Sequence, residues 1–302
     1  MSAPNPRGVS NAPFFVPGAP ARPMQEVWYM RMNAPDAARA LWLRFTLLLQ
    51  PAGGKRVAEV WAIEFKKEGG QWRELGWKNT FPADAFSLSD DDSPGFHVEH
   101  CAFSDTRTCG ALKNDEHAIA WDFSMREGVH AAFDFVPLPL RRIGLVRNEA
   151  VNVFEDLRFT GWSEVDGERF AWTDAPGMQG HLWGERNGHS WAWGQCNCFV
   201  DENGASVTLI WDGLTARARR GKNRASPALS TMYVFAEGRH FCLNRVRDIF
   251  AIHSDYGEYG WDFRASGNGI ALDGKLRAQR DHFAGVTYED TDGSNLYCYN
   301  SK

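Results

Sequence analysis

The sequence predicts an all-β chain built as two tandem antiparallel barrels, and three observations support this. From Met24 onward, large apolar and polar residues alternate with the period of two that a half-buried strand requires. The alternating runs are about five to ten residues long and are separated by Gly, Pro, Asn and Asp turns, with hardly any helical periodicity between them. Two strand sets of similar length flank Pro137-Leu-Pro-Leu-Arg-Arg142, whose two prolines a central strand would not tolerate.

In order along the chain, residues 1–23 form a Pro-rich lead-in without the basic-then-apolar layout of a secretory signal. Residues 24–150 make the first barrel. Its first strand sets Glu26, Trp28, Met30 and Met32 on one face, and Ala40–Leu49 follows with Leu41, Leu43, Phe45, Leu47 and Leu49 on one face. Val57–Phe65 aligns Val57, Glu59, Trp61, Ile63 and Phe65. Strands are then expected at Gly95–Phe103, His117–Met125 and Val129–Val136. The crossing between barrels is placed between about Pro137 and Gly161. The second barrel, 151–302, takes in Arg158–Val165, Arg169–Asp174, Ser206–Trp211, Thr231–Ala236, Arg239–Ile249, Trp261–Ala265, Ile270–Arg280 and Val286–Tyr299. Pro35–Trp42 and Val146–Asp156 have compositions that a short helix would also accept.

At 302 residues with 43% hydrophobic and 24% charged residues, the composition is that of a globular chain able to bury a sizeable core. Thirteen Trp and twenty Phe supply wide, flat side chains suited to lining a broad apolar cavity. A net charge of −5 gives no general pull toward nucleic acid, and no apolar run is long enough for a spanning helix. A cytoplasmic chain with free thiols is expected, and peripheral contact with a membrane surface stays open.

The stretch Pro176–Phe199 is the densest in signals. Asn187-Gly188 between two Trp-rich runs reads as a two-residue hairpin turn, pairing Trp183 with Ala192, Gly184 with Trp191, His181 with Gly194 and Gly180 with Gln195. His181 and Trp183 then share one face, and Trp191, Trp193, Gln195 and Asn197 the other.

The run Gly-Met-Gln-Gly-His-x-Trp-Gly (177–184), with Trp191-Ala-Trp193 and Cys196-Asn197 after it, resembles the AttH-like, carotenoid 1,2-hydratase and tocopherol cyclase group. Glu26-Val-Trp28-Tyr29, Ile119-Ala-Trp121-Asp122 and Tyr288-Glu-Asp-Thr-Asp-Gly293 agree with it. The resemblance implies two lipocalin-like barrels holding a hydrophobic guest, and cofactor-free hydration, cyclisation or isomerisation of an isoprenoid- or polyketide-like substrate.

Such chemistry needs a protonated acid within reach of the accepting carbon, a dry cavity and aromatic faces beside the developing cation. Burial raises a carboxylic acid's pKa and so keeps it protonated. Glu26, Glu59 and Glu99 each alternate with apolar residues, and each also fits an ion pair with an arginine such as Arg31 or Arg44. His181 serves equally as a proton donor, or anchor for the guest, and as a hydrogen-bonded core histidine. The candidate catalytic residues are therefore His181, Glu26 and Glu59. The candidate lining is Trp28, Trp61, Trp183, Trp191, Trp193, Gln195 and Asn197, and aromatics at period two are also ordinary core. Asp122 and Asp212, opposite Trp121 and Trp211, are expected at the surface.

No metal or dinucleotide site is expected. His97-Val-Glu99-His100 splits its histidines across a strand, Cys196-x-Cys198 lacks a second pair, and Gly267-x-Gly269 lacks the third glycine. Asp90-Asp-Asp92 reads as a solvated turn before a calcium site. Arg217, Arg219, Arg220, Lys222 and Arg224 could hold a phosphate, although a charged strand edge explains them more simply. Besides a cofactor-free enzyme, a non-catalytic carrier of hydrophobic ligands and a scaffold with filled barrels fit the same pattern.

Overall fold

The computed structural model describes residues 9–15, 22–36, 38–89, 95–142, 148–220 and 224–302. The calcium alternative at Asp90–Asp92, Lys222 and most of the Pro-rich lead-in lie outside the described residues. The described chain is almost entirely antiparallel β.

The first set of strands is β1 (Met24–Asn33), β2 (Arg39–Leu49), β3 (Arg56–Glu68), β4 (Gln71–Pro82), β5 (Phe86–Leu88) and β6 (Gly95–Val98). It continues with β7 (Cys101–Ser104), β8 (Arg107–Lys113), β9 (Ala118–Glu127), β10 (Phe133–Asp134), β11 (Asn148–Val165) and β12 (Glu168–Gly184). These twelve form one curled sheet in the order β4-β3-β2-β1-β12-β11-β9-β8-β7-β6-β5, with β10 beside β11.

Inside the curl lies a large aromatic core, including Trp28, Phe45, Phe96, Phe103, Trp121, Phe123, Phe159 and Trp172. The opposite face of β1–β3 is also covered, through Val27, Tyr29, Trp42, Trp61, Ile63 and Phe65. Burial on both faces explains why β2, ALWLRFTLLL after Arg39, is buried at every position. A strand with no solvent face loses the clean alternation of a two-sided one.

The second set holds β13 (Ser190–Cys196), β14 (Ile210–Arg217), β15 (Arg219–Arg220), β16 (Arg224–Ala225), β17 (Leu229–Ala236) and β18 (Arg239–Leu243). After it come β19 (Ile252–Tyr256), β20 (Gly260–Gly267), β21 (Ile270–Arg277), β22 (Ala284–Glu289) and β23 (Asn295–Asn300). A sheet β13-β14-β17-β18 and a sheet β19-β20-β21 share a core of Trp211, Met232, Val234, Phe241, Trp261 and Phe263. The β22–β23 hairpin covers the outer face of β1–β3 through Ala284 and Tyr288.

Several expectations need correction. The hairpin about Asn187-Gly188 does not form: β12 pairs on one side with β1 and on the other with β11, leaving no free edge for β13, which pairs with β14. The Asn187-Gly188 pair instead links the two strand sets. Residue 150, the expected barrel boundary, falls inside β11, and residues 151–184 hydrogen-bond into the first sheet. Gly95–Phe103 is two strands, broken where Glu99 takes a left-handed turn conformation (φ 53°). The Pro137 segment carries a short helix, α1 (Leu138–Arg142), and a second, α2 (Val246–Ile249), ends the run expected from Arg239. Within the two windows that could be helical, 39–42 and 148–156 are strand.

Candidate active site

Of the acids named from the sequence, Glu26 meets His181, whereas Glu59 and Glu99 lie elsewhere. On β1, Glu26 and Trp28 turn into the curled core, whereas Val27, Tyr29 and Arg31 turn outward, as strand alternation requires. His181, opposite Trp28 on β12, faces the same interior and stacks on Trp28 with ring centroids 4.8 Å apart. Its Nε2 lies 3.0 Å from Glu26 Oε1 and its Nδ1 2.8 Å from the Ser10 carbonyl oxygen. Glu26 also accepts the backbone N–H groups of Phe14 and Phe15, at 2.7 and 3.0 Å. Both side chains are wholly buried. Every polar atom of this pair is thus satisfied, and its bonds clamp residues 10–15 over the end of the core.

Trp183 stacks on Phe14 at 4.4 Å beside the clamp. Glu59 forms an ion pair with Lys78 and accepts Trp61 Nε1–H at 3.1 Å. Glu99 is exposed in its turn, and Asp122 pairs with Arg107 at 3.0 Å. Gln195 and Asn197 sit in the seam between strand sets, donating to the Glu155 carbonyl (2.8 Å) and to Asp156 Oδ1 (2.9 Å).

A cavity of about 330 Å³ opens on the outer face of the first sheet, where the second set and β22–β23 pack against it. Val27 and Tyr29 (β1), Trp42 and Arg44 (β2), Leu182 (β12), Trp191 and Trp193 (β13), Leu214 (β14), and Tyr288 and Cys298 (β22–β23) line it, with Phe135, Leu140 and Ile249 from the connections. Of the seven lining candidates, Trp191 and Trp193 reach this cavity. Trp61 lies one layer away, against Tyr288. Trp28 and Trp183 belong to the other face.

Beneath the wall formed by Tyr29 and Trp193 lies a polar network. The Tyr29 hydroxyl donates to Asn152 Oδ1 at 2.9 Å, Asn152 Nδ2 donates to Asp212 Oδ2, and Trp193 Nε1 donates to Asp212 Oδ1 at 3.1 Å. Glu155 completes it and, like Asp212, is wholly buried. Among the described residues neither Glu155 oxygen accepts an ordinary hydrogen bond. Burial, and then the charge of Asp212, hold the Glu155 carboxyl well above the usual carboxylate range. Burial raises Asp212 too, while Arg31 and the Trp193 and Asn152 donors pull the other way. Both carboxyls are thus held above the usual carboxylate range, and two adjacent buried acids retain a proton between them. Burial likewise keeps the Tyr29 phenol neutral.

The expectation that Asp212 is exposed is therefore overturned. Alternation placed it opposite Trp211 correctly, but β14 is buried on both faces, with Trp211 in the core between the second-set sheets and Asp212 against the first sheet. Ile210 and Leu214 share its face and are apolar, the same signal that singled out Glu26. Glu155 had no readable signal, because the β11 register shifts between Asn152 and Phe154 and again before Leu157.

The glycines of the 177–184 motif acquire a physical meaning here. A Cβ on Gly180 would stand 2.4 Å from Asn152 Oδ1 and 2.4 Å from Tyr29 Cζ, so only glycine allows these two to meet across β12.

Fold and cavity together define an all-β, lipocalin-like protein with an aromatic pocket beside buried acids. The tocopherol cyclase-like family model matches residues 153–276. The chloroplastic tocopherol cyclase of Zea mays is 37% identical over 82 residues, which are 27% of this chain and only 17% of that protein. An AttH-type crystal structure from Nitrosomonas europaea superposes with a TM-score of 0.53 over 95% of each chain at 10% identity. Kievitone hydratase from Nectria haematococca superposes at 0.50, over 86% of this chain and 77% of that one, at 12% identity. The chain is similar to the AttH-like and tocopherol cyclase-like group in motif, in sequence and in fold. Among the described residues no helix is long and apolar enough to cross a membrane.

Proposed function

We propose that this chain is an enzyme that encloses a large apolar molecule, isoprenoid- or polyketide-like, in the cavity and promotes its hydration, cyclisation or isomerisation by proton transfer. The observation that carries the reading is a wholly buried acid pair, Asp212 and Glu155, of which Asp212 accepts the Nε1–H of the wall residue Trp193 directly and is linked to the wall residue Tyr29 through Asn152. The names of the relatives, a tocopherol cyclase and a hydratase, support the same class of reaction.

In this reading Asp212 protonates a carbon–carbon double bond, leaving a cation on the neighbouring carbon. Water adds and loses a proton to give an alcohol, or an internal hydroxyl adds and loses its proton to close a ring. Either proton returns to Asp212. Trp191 and Trp193 present aromatic faces that stabilise the cation, and the apolar walls exclude competing water. Glu155 stays protonated and hydrogen-bonds the ionised Asp212. His181 and Glu26 clamp residues 10–15, and Glu59 pairs with Lys78.

The test is incubation with prenylated hydroquinones and polyenes in D2O, with mass spectrometry for ring-closed isomers, hydrated products and carbon-bound deuterium. Asp212→Asn is expected to abolish deuterium incorporation, whereas Glu155→Gln, which mimics the protonated acid, retains most of it. Unchanged turnover in Asp212→Asn would refute the assignment. One observation favours a carrier without chemistry: Asp212 lies behind the cavity wall and does not line it. Tight binding of the same compounds with no product from any of them would establish that role instead.

A further inference from the structure

Arg44 is 6% exposed, on the central strand β2, and lines the cavity. Its Nε donates to Thr46 Oγ1 at 2.8 Å, and its guanidinium carbon lies 3.8 Å from the Tyr288 ring centroid and 5.4 Å from that of Trp61. Among the described residues no carboxylate pairs with it. Arg39, on the same strand and equally buried, shows the contrast, because it pairs with Glu64 at 2.9 Å. A buried guanidinium offers five donors, and a charge removed from water without a partner is costly. The aromatic faces meet part of that cost; among the described residues the Nη groups of Arg44 have no acceptor of their own.

Three more arginines, Arg186, Arg217 and Arg219, line the same cavity, against one carboxylate residue, Glu149. Arg186 is occupied by Asp292 at 2.5 Å, and Arg219 stands 4.0 Å from Asp290. The cavity is therefore apolar in most of its walls, and Arg44 is the buried arginine among the four, Arg217 being exposed, although the whole chain is net negative.

We propose that the guest is an amphiphile with an anionic head, a carboxylate or a phosphate, and that Arg44 is the residue that binds this head. The proposal rests on the reading of the cavity as the ligand site and adds the polarity of the ligand. A planar guanidinium matches either oxyanion with two parallel hydrogen bonds. The apolar body of the guest then extends along Trp191, Trp193 and Leu182.

The experiment is calorimetric titration of the full chain with decanoate, decyl phosphate and decanol, which share a saturated tail on which no chemistry occurs. Both anions, or one of them, are expected to bind at least tenfold tighter than decanol. Arg44→Gln is expected to weaken the preferred anion about 10- to 100-fold while leaving decanol unchanged. Arg44→Lys, which keeps the charge and loses the fork, is expected to keep part of the preference and holds the test open should the Gln variant not fold. Whichever anion is preferred identifies the head. Equal binding of decanol and both anions, or an Arg44→Gln variant that retains the full preference, overturns the proposal while leaving the cavity as an apolar site. Binding of none of the three overturns the cavity reading as well.

Discussion

Replacing Glu155 with Gln is expected to stabilise the protein, increasingly so as the pH rises. Burial and the neighbouring Asp212 hold this carboxyl well above the usual range, so the folded chain keeps a proton that the unfolded chain releases near pH 4. A group whose folded pKa is raised contributes stability that is intact below its unfolded pKa and is lost as the pH climbs toward its folded pKa. For one proton the slope is about −1.4 kcal/mol per pH unit. Gln is isosteric with the protonated acid and carries no such proton. Parent and variant should therefore match near pH 4 and diverge above it, the variant gaining up to about 1.4 kcal/mol per pH unit for as long as the folded parent keeps the proton. Urea unfolding at pH 4, 5, 6 and 7 measures this directly. Because Glu64, Asp105 and Asp290 are also raised by burial and titrate in both proteins, the difference between the two curves is the quantity to follow. A gap that stays constant across this range would mean that Glu155 is already ionised in the folded chain, and the assignment of roles within the acid pair would fall.

Gly180→Ala should cost about 1–3 kcal/mol by overpacking, because the new methyl meets both Tyr29 and Asn152. In Tyr29→Phe, where the hydroxyl 2.5 Å from that methyl is gone, the penalty should shrink, and strict additivity in the double-mutant cycle would speak against the contact. His181→Ala removes the partner of a buried carboxylate and should cost about 3–5 kcal/mol, with faster hydrogen exchange at the Phe14 and Phe15 amides. Glu59→Gln leaves a partly exposed Lys78 without its ion pair and should cost less than about 1 kcal/mol in thermal unfolding, with turnover preserved.

What the sequence reveals divides along the strands themselves. β1, β2 and β3 are legible within a residue or three at each end, because Trp28, Met30, Phe45 and Phe65 repeat at the period that burial of a pleated face imposes. The same period correctly separates Glu26 and His181, which meet inside the curl, from Val27 and Leu182 on the cavity side. It cannot say which face carries the cavity, and here the face with the more conspicuous acids is the filled one. The choice between faces is made by long-range packing, the second strand set closing on Tyr29, Arg44 and Leu182, which no local pattern encodes.

The central motif shows the same division in a single strand. Turn chemistry at Asn187-Gly188 favours a hairpin, but that preference is local, whereas β12 gains a full ladder of hydrogen bonds on each side from β1 and β11. Two ladders outweigh one turn, and the chain leaves Gly184 to begin the other strand set. Trp191 and Trp193 consequently do not pair beside His181 in a hairpin; they fold over the far side of the same sheet. The strand thus separates a sealed histidine clamp from an open aromatic pocket by the thickness of one backbone. On this view, substitutions at Gln179, His181 and Trp183 register as stability and order near residues 10–15, whereas those at Gly180 and Leu182 register in the pocket.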